Sequence, residues 1–233
     1  MVADGRFALV KTTLLDYPGK VAAAVFLPGC HLRCPYCHNP EFVDPGDDGP
    51  FDSDIESFRS FVDRRASVLG GVVFSGGEAL LSPLLPGLID IARERNLAVK
   101  LDTAGLLPDR LESLLETGRL DYVAMDFKTL PERYAELGWH GKNAAALLRR
   151  TLALLAGSGL SYEIRTTVVP PLVTRDILRL MAPYLEGVPL WVWQPYAPGR
   201  TLDPGWSDLR APDAEMLTQW SDSPGTDVRI MIR

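Results

Sequence analysis

Every cysteine of the 233-residue chain lies in one eight-residue window, C-H-L-R-C-P-Y-C, as Cys30, Cys34 and Cys37. Three thiols are poor material for the disulfide framework of a secreted scaffold, and their crowding points instead to a metal. Intervals of four and three residues would align them on one helical face. At a rise of ~1.5 Å per residue, however, the outer pair would stand ~10 Å apart, too far for one compact centre. Gly29 before the window and Pro35 within it favour a loop. Spacing alone leaves two centres open. Structural zinc takes four Cys or His ligands, so His31 or His38 would complete a Cys3His staple. Iron–sulfur cubanes usually take four cysteines, and with only three one iron keeps an open position at which chemistry can occur.

Further residues of chemical interest recur at the ends of apolar runs. S-G-G-E closes one run at residues 75–78, where Gly76 and Gly77 would let backbone approach a ligand or form a tight turn beside Glu78. L-D-T-A-G at 101–105 brings Asp102 and Thr103, each of which would also serve as a helix N-cap. M-D-F-K at 125–128 places Asp126 and Lys128 two apart around Phe127, on one face of an extended strand, as for a surface pair. Arg165 stands among apolar and β-branched neighbours in Y-E-I-R-T-T-V-V, where a buried charge would need a partner. Polar groups at the ends of successive strands shift the balance from turns and caps towards a site.

The elements that would position these residues alternate. L-V-K-T-T-L-L and V-A-A-A-V-F-L flank the turn-forming D-Y-P-G-K, and the second run feeds the cysteine loop. Further strands are expected at 71–75, 97–102, 120–126, 162–169 and 189–194, with a terminal one in D-V-R-I-M-I-R. Helices are expected over 53–66, 83–95, 108–117, 142–156 and 175–185. Alternation of this kind implies parallel βαβ units, whose functional groups gather at the C-terminal ends of the strands. Six such strands fall short of a full (β/α)8 barrel, with an open doubly wound sheet as the generic alternative. Residues 196–212, rich in Pro and Gly, read as a long irregular connection of the kind that tends to be functional. The two tryptophans at 191 and 193 read as packing.

Bulk composition bounds the function. With 46% hydrophobic and 23% charged residues the chain reads as one soluble globular domain, 1–233. No run approaches the ~20 apolar residues of a membrane span, and the first residues lack a signal peptide's apolar core and cleavage site, so a cytoplasmic location is expected. A formal charge of −6 argues against general phosphate-backbone binding, and neither nucleic acid nor membrane is an expected partner.

The spacing C-x3-C-x2-C with Tyr36 before the last cysteine resembles the signature of the radical S-adenosylmethionine (SAM) superfamily. P-G-C-H-L-R-C-P-Y-C-H-N-P-E is similar to the activating enzymes of glycyl radical enzymes. With T-T-L-L-D-Y-P-G-K-V-A-A-A-V-F-L ahead of it, the likeness is greatest to the anaerobic ribonucleoside-triphosphate reductase activating proteins, with pyruvate formate-lyase activating enzyme a near relative. The resemblance implies a partial (β/α)6 barrel and a [4Fe–4S] cluster on Cys30, Cys34 and Cys37. It also implies SAM contacts along Tyr36, Cys37, His38 and Asn39, at Gly76, Gly77 and Glu78, at Asp126, Phe127 and Lys128, and at Arg165. A monovalent cation held by Asp102, Thr103 and Asp126 is implied as well, oxygen ligands suiting a hard ion. Where pyruvate formate-lyase activating enzyme would place a histidine after P-Y, this chain has Ala197, with Gln194 or Tyr196 as substitutes.

The implied reaction is one-electron cleavage of SAM to methionine and a 5′-deoxyadenosyl radical, which forms a glycyl radical on a partner enzyme, an anaerobic ribonucleotide reductase. A flavodoxin- or ferredoxin-type protein would donate the electron. Two rivals stand beside this reading: a radical SAM enzyme acting on a small molecule, similar to 7-carboxy-7-deazaguanine synthase, and a non-catalytic Cys3His zinc module.

Overall fold

The structure, a computed structural model, describes residues 5–46, 49–222 and 226–233. They divide into two compact units. The first holds the chain up to His31 with Asn39–Thr103 and Asp109–Val123; the second holds Leu32–His38, Ala104–Pro108 and Ala124–Arg233.

In the first unit β1 (Ala8–Thr13) pairs antiparallel with β2 (Ala22–Leu27). The expected Pro-Gly turn joins them. Thr13 Oγ1 accepts from the Leu15 and Asp16 N–H groups at 3.2 and 3.4 Å, and Lys20 N–H donates to the Tyr17 carbonyl at 3.1 Å, which folds the Tyr17 ring inward. After α1 (Pro40–Val43) and α2 (Ile55–Arg65), β3 (Gly71–Gly76) joins β2 in parallel. After α3 (Leu85–Glu94), β4 (Ala98–Thr103) joins β3 in the same sense. The sequence of β2, Ala-Ala-Ala-Val-Phe-Leu, is nearly all buried, as a parallel strand covered on both faces should be. One face gathers Ala22, Ala24 and Val73 with Tyr17, against which Phe26, Ala98 and Tyr122 pack.

Helix α2 starts where the sequence provides a reciprocal cap: Asp54 accepts from Ser57 N–H and Ser57 Oγ accepts from Asp54 N–H, both at 2.8 Å. Its Phe58 meets Phe7 and Phe74 edge-on, with centroids 6.1 and 6.5 Å apart. This places α2 on the Phe74 side of the sheet, and α3 packs beside α2, β3 and β4. Helix α4 (Pro108–Glu116) follows, and β5 (Tyr122–Asp126) begins in this unit and ends in the second.

The second unit continues with α5 (Ala144–Gly157), β6 (Ser161–Val168), α6 (Arg175–Met181), β7 (Trp191–Pro195), α7 (Ala214–Ser221) and β8 (Ile230–Ile232). Strands β6, β7 and β8 are parallel, with Ile164 opposite Trp191 and Trp191 opposite Ile230. Within each unit, strand order is chain order. Trp191 and Trp193 are packing residues, as expected: both are buried, their rings meet edge-on at 5.2 Å, and Trp191 Nε1 donates to Thr166 Oγ1 at 2.9 Å. Glu163, fully buried, accepts two bonds from the Arg233 guanidinium at 3.0 and 2.9 Å.

The six βα strands and the terminal strand stand where the pattern places them. Some helical details differ, the short α1 (Pro40–Val43) among them, which lies outside the expected helices. The stretch 175–185 divides into α6 and a 3-10 turn, Ala182–Leu185, because Pro183 has no N–H to continue the α ladder. Helix α7 lies outside the expected helices; Asp213 caps it by accepting from Met216 N–H at 2.8 Å. No helix among the described residues is long and apolar enough to cross a membrane.

Candidate functional site

In the second unit the end of β5 meets the middle of β6. Arg165 Nε donates to Asp126 Oδ1 at 2.7 Å, and Lys128 Nζ donates to Asp126 Oδ2 at 3.2 Å. Asp126 and Lys128, whose spacing also suited a surface pair, form a three-charge cluster with Arg165, the side chains being 16%, 29% and 19% exposed for Arg165, Asp126 and Lys128. Burial alone would raise the Asp126 carboxyl, but the neighbouring charges, Arg165 foremost and then Lys128, hold it well below the usual carboxylate range. Burial would lower Lys128, and the Asp126 charge overrides this and raises it well above its ordinary value. Phe127 between them turns its ring into the core against Tyr184. Its N–H goes to the Arg165 carbonyl at 2.9 Å, and its carbonyl accepts from Thr166 Oγ1 at 2.7 Å. The main chain around Phe127 thus fixes the spacing of the charges on either side.

Cys34 and Cys37 lie in the same unit, joined by a turn in which Cys37 N–H donates to the Cys34 carbonyl at 3.0 Å. Arg33 N–H anchors its start on the Leu137 carbonyl at 2.6 Å. The far end is clasped by the long connection after β7. Leu202 N–H donates to the Cys37 carbonyl at 2.9 Å, and Asp203 N–H to the Pro35 carbonyl at 3.0 Å. His38 Nδ1 lies 3.2 Å from the Arg200 carbonyl and its ring stacks on Tyr196, 5.2 Å between centroids. Tyr196 in turn donates to the Trp206 carbonyl at 2.6 Å. Tyr36 is buried against Trp206 with no hydrogen-bond partner for its hydroxyl. Burial drives that hydroxyl's pKa well above the ordinary value, against the opposing charge of Lys128.

The first unit holds Cys30, His31 and Asn39. Gly29, just before Cys30, is gripped by backbone. Its N–H donates to the Phe42 carbonyl at 2.8 Å and its carbonyl accepts from Glu78 N–H at 2.8 Å, while Gly77 N–H reaches the Leu27 carbonyl at 2.9 Å. A Cβ on Gly77 would collide with the Gly29 carbonyl, and one on Gly76, at φ +112, with the backbone of Leu27. The glycine pair thus lets two main-chain segments touch at the mouth of the cysteine loop. Glu78 is buried; its carboxylate accepts from Leu80 N–H at 3.2 Å and from Thr103 Oγ1 at 3.1 Å. Asn39 is exposed and stands as N-cap of α1 without a side-chain capping bond. Asp102 accepts a hydrogen bond from Lys100 Nζ, and Lys100 is 1% exposed. Lys100 was not among the residues expected at the site.

None of the three cysteines is in a disulfide; Cys34 is buried, Cys30 and Cys37 half-buried. Among the described residues no three His, Cys, Asp or Glu groups already stand arranged about a metal. The donor chemistry nonetheless fits an iron–sulfur group with one iron left open, and the orphaned Tyr36 hydroxyl beside Cys37 fits a ligand supplied from outside the chain.

Comparison with known proteins decides the family. The model of the radical SAM superfamily matches residues 24–182. The chain belongs to the radical SAM superfamily. Membership brings with it a [4Fe–4S] cluster and SAM as cofactors. A candidate glycyl-radical enzyme activating enzyme of Methanocaldococcus jannaschii is 30% identical over 217 residues, 91% of this chain and 88% of its own. The pyruvate formate-lyase-activating enzyme of Clostridium pasteurianum is 30% identical over 196 residues, 81% and 79% of the two chains. Among solved structures, Streptococcus suis SuiB bound to S-adenosylmethionine aligns with TM-score 0.63 and 12% identity over 90% of this chain. This radical SAM chain spans 51% of the SuiB chain, and at that identity the likeness concerns the fold alone: a mostly parallel α/β arrangement of the radical SAM partial-barrel kind.

Proposed function

We propose that this radical SAM enzyme activates a glycyl radical enzyme, and that its partner is an anaerobic ribonucleotide reductase. The observation that carries the activase reading is the 30% identity, over nine-tenths of the chain, to a relative named for that activity. The narrower partner rests on the stretch from Thr12 through the cysteines, T-L-L-D-Y-P-G-K to P-G-C. Glycine suits an inserted peptide loop because it brings no side chain into a narrow site.

In this reading Cys30, Cys34 and Cys37 hold the cluster. When bound, the cluster and SAM supply one-electron cleavage of a sulfonium and, through it, abstraction of a hydrogen atom. The protein's own task is placement. Arg165 and Lys128 neutralise and aim Asp126, the Tyr36 hydroxyl offers its unspent hydrogen bond, and the clasp of residues 200–206 over the cysteine turn excludes water from that side. Gly76, Gly77 and Glu78 shape the other cysteine's approach, and His38 acts through its stack on Tyr196. The enzyme works in the cytoplasm with a flavodoxin- or ferredoxin-type donor.

The test is electron paramagnetic resonance of the anaerobically reconstituted, reduced protein mixed with SAM and the reductase from its own source. A glycyl-radical signal is expected. Good SAM cleavage without that signal on any glycyl radical enzyme of that source, together with turnover of a small metabolite, would overturn the activase reading.

A further inference from the structure

A lysine in a strand ordinarily carries its ammonium to water along the surface. Lys100 does not: it sits in β4 opposite Val73, on the strand face that also carries Ala98 and Asp102, and is 1% exposed. A buried ammonium persists only when an anion and hydrogen bonds replace its hydration. Here Asp102, 12% exposed, is that anion and accepts directly from Nζ.

Asp102 is also the residue on which the sequence resemblance placed a monovalent cation. The pair already sums to zero charge, and a metal cation on the Asp102 carboxylate would have to stand against an ammonium in hydrogen-bond contact with it. Nor does the neighbouring ligand suit such an ion. Thr103 follows Asp102 in the strand and so projects to the opposite face, where its hydroxyl donates to Glu78. In the second unit Asp126, the third expected oxygen ligand, has its two oxygens taken by Arg165 and Lys128.

We propose that Lys100 is a built-in substitute for the monovalent cation, its ammonium neutralising Asp102 from within the protein, so that this enzyme binds SAM without potassium or sodium. Lys100 is in this sense a positioning residue, acting through Asp102, that the sequence motif does not contain. The inference rests on the radical SAM reading and specifies how its SAM site is balanced in charge.

Two measurements on the cluster-loaded protein test it. SAM affinity by equilibrium dialysis should agree within about twofold between potassium nitrate and choline nitrate of equal ionic strength, where a site that needs the metal would lose about tenfold or more. Thallium(I), a potassium surrogate, should not bind the native protein. Lys100→Met, which removes the ammonium from Asp102, should bind one thallium per chain, lose about tenfold in SAM affinity in choline and regain most of it in potassium. The double variant Lys100→Met/Asp102→Asn should bind no thallium. Stoichiometric thallium binding to the native protein that Asp102→Asn abolishes, or native SAM binding that collapses in choline, overturns the proposal. The native measurements decide it even if Lys100→Met does not fold. Absence of SAM binding in both salts would instead overturn the cofactor reading, and the thallium result would still decide the cation question.

Discussion

Arg165 and Asp126, 39 positions apart in the chain, are joined by a 2.7 Å bond from Nε to Oδ1. The other carboxylate oxygen takes Lys128, so one anion holds two cations whose separation is set by backbone bonds at Phe127. The excess positive charge is a fixed electrostatic feature of the strand ends, suited to an anionic group of a ligand.

Replacing the shared anion should release both cations. Asp126→Ala is expected to weaken SAM binding by about tenfold while leaving roughly four irons per chain, and to cost about 2 kcal/mol of stability in urea titration. Loss of iron in step with SAM would show a general folding defect in place of a ligand effect.

The same carboxyl should leave a signature in acid. Its folded-state value is depressed, so its contribution to stability is complete above the unfolded value of about 3.9 and is lost as pH falls through the folded value. The stability difference between the native protein and Asp126→Asn should therefore be flat from about pH 5 to about pH 8 and shrink below about pH 4. Denaturant titrations at stepped pH measure this directly; a slope in the neutral range would assign the effect to another group.

Glycines separate by what surrounds them. Gly77→Ala drives a methyl into the Gly29 carbonyl and Gly76→Ala one into the Leu27 backbone at a left-handed φ, so each should cost roughly 3 kcal/mol or more and lower iron incorporation with it. Gly87, inside α3 with open space around it, is the control: Gly87→Ala should stabilise by about 0.5–1 kcal/mol. Comparable melting temperatures for all three variants would contradict the backbone contact at the loop mouth.

Tyr36 carries a hydroxyl that burial has stripped of water without giving it a partner. Tyr36→Phe should leave the ligand-free protein as stable or more so, by up to about 1 kcal/mol, and weaken SAM binding by roughly three- to tenfold. Unchanged SAM affinity would mean the hydroxyl plays no part in binding.

Strands were legible because apolar runs of five or six residues alternate with helical periodicity, and because parallel strands covered on both faces leave little polar sequence to obscure them. The ends of those strands were legible as chemistry; their partners were not. Arg165 showed itself as a charge inside an apolar run, yet nothing in the letters named Asp126 as its anion. Lys100 carries the same signal in L-A-V-K-L, with Asp102 two positions on along the same strand face, but residue type alone does not show that its ammonium is buried. The glycine pair at 76–77 announced close approach, but not that the approaching body is main chain. Backbone contacts such as Leu202 to Cys37 leave no mark on residue type at all.

That last contact bears on how the protein is made. The turn carrying Cys34 and Cys37 is held by residues about 160 positions downstream, His38 to Arg200 being separated by 162. A loop closed over such a span cannot be set while the ribosome is still adding the middle of the chain, and its slow, non-local closure comes late. A nascent chain arrested before residue 200 would carry Cys34 and Cys37 on a turn without its clasp, so the geometry of these two thiols is set by a segment made long after them.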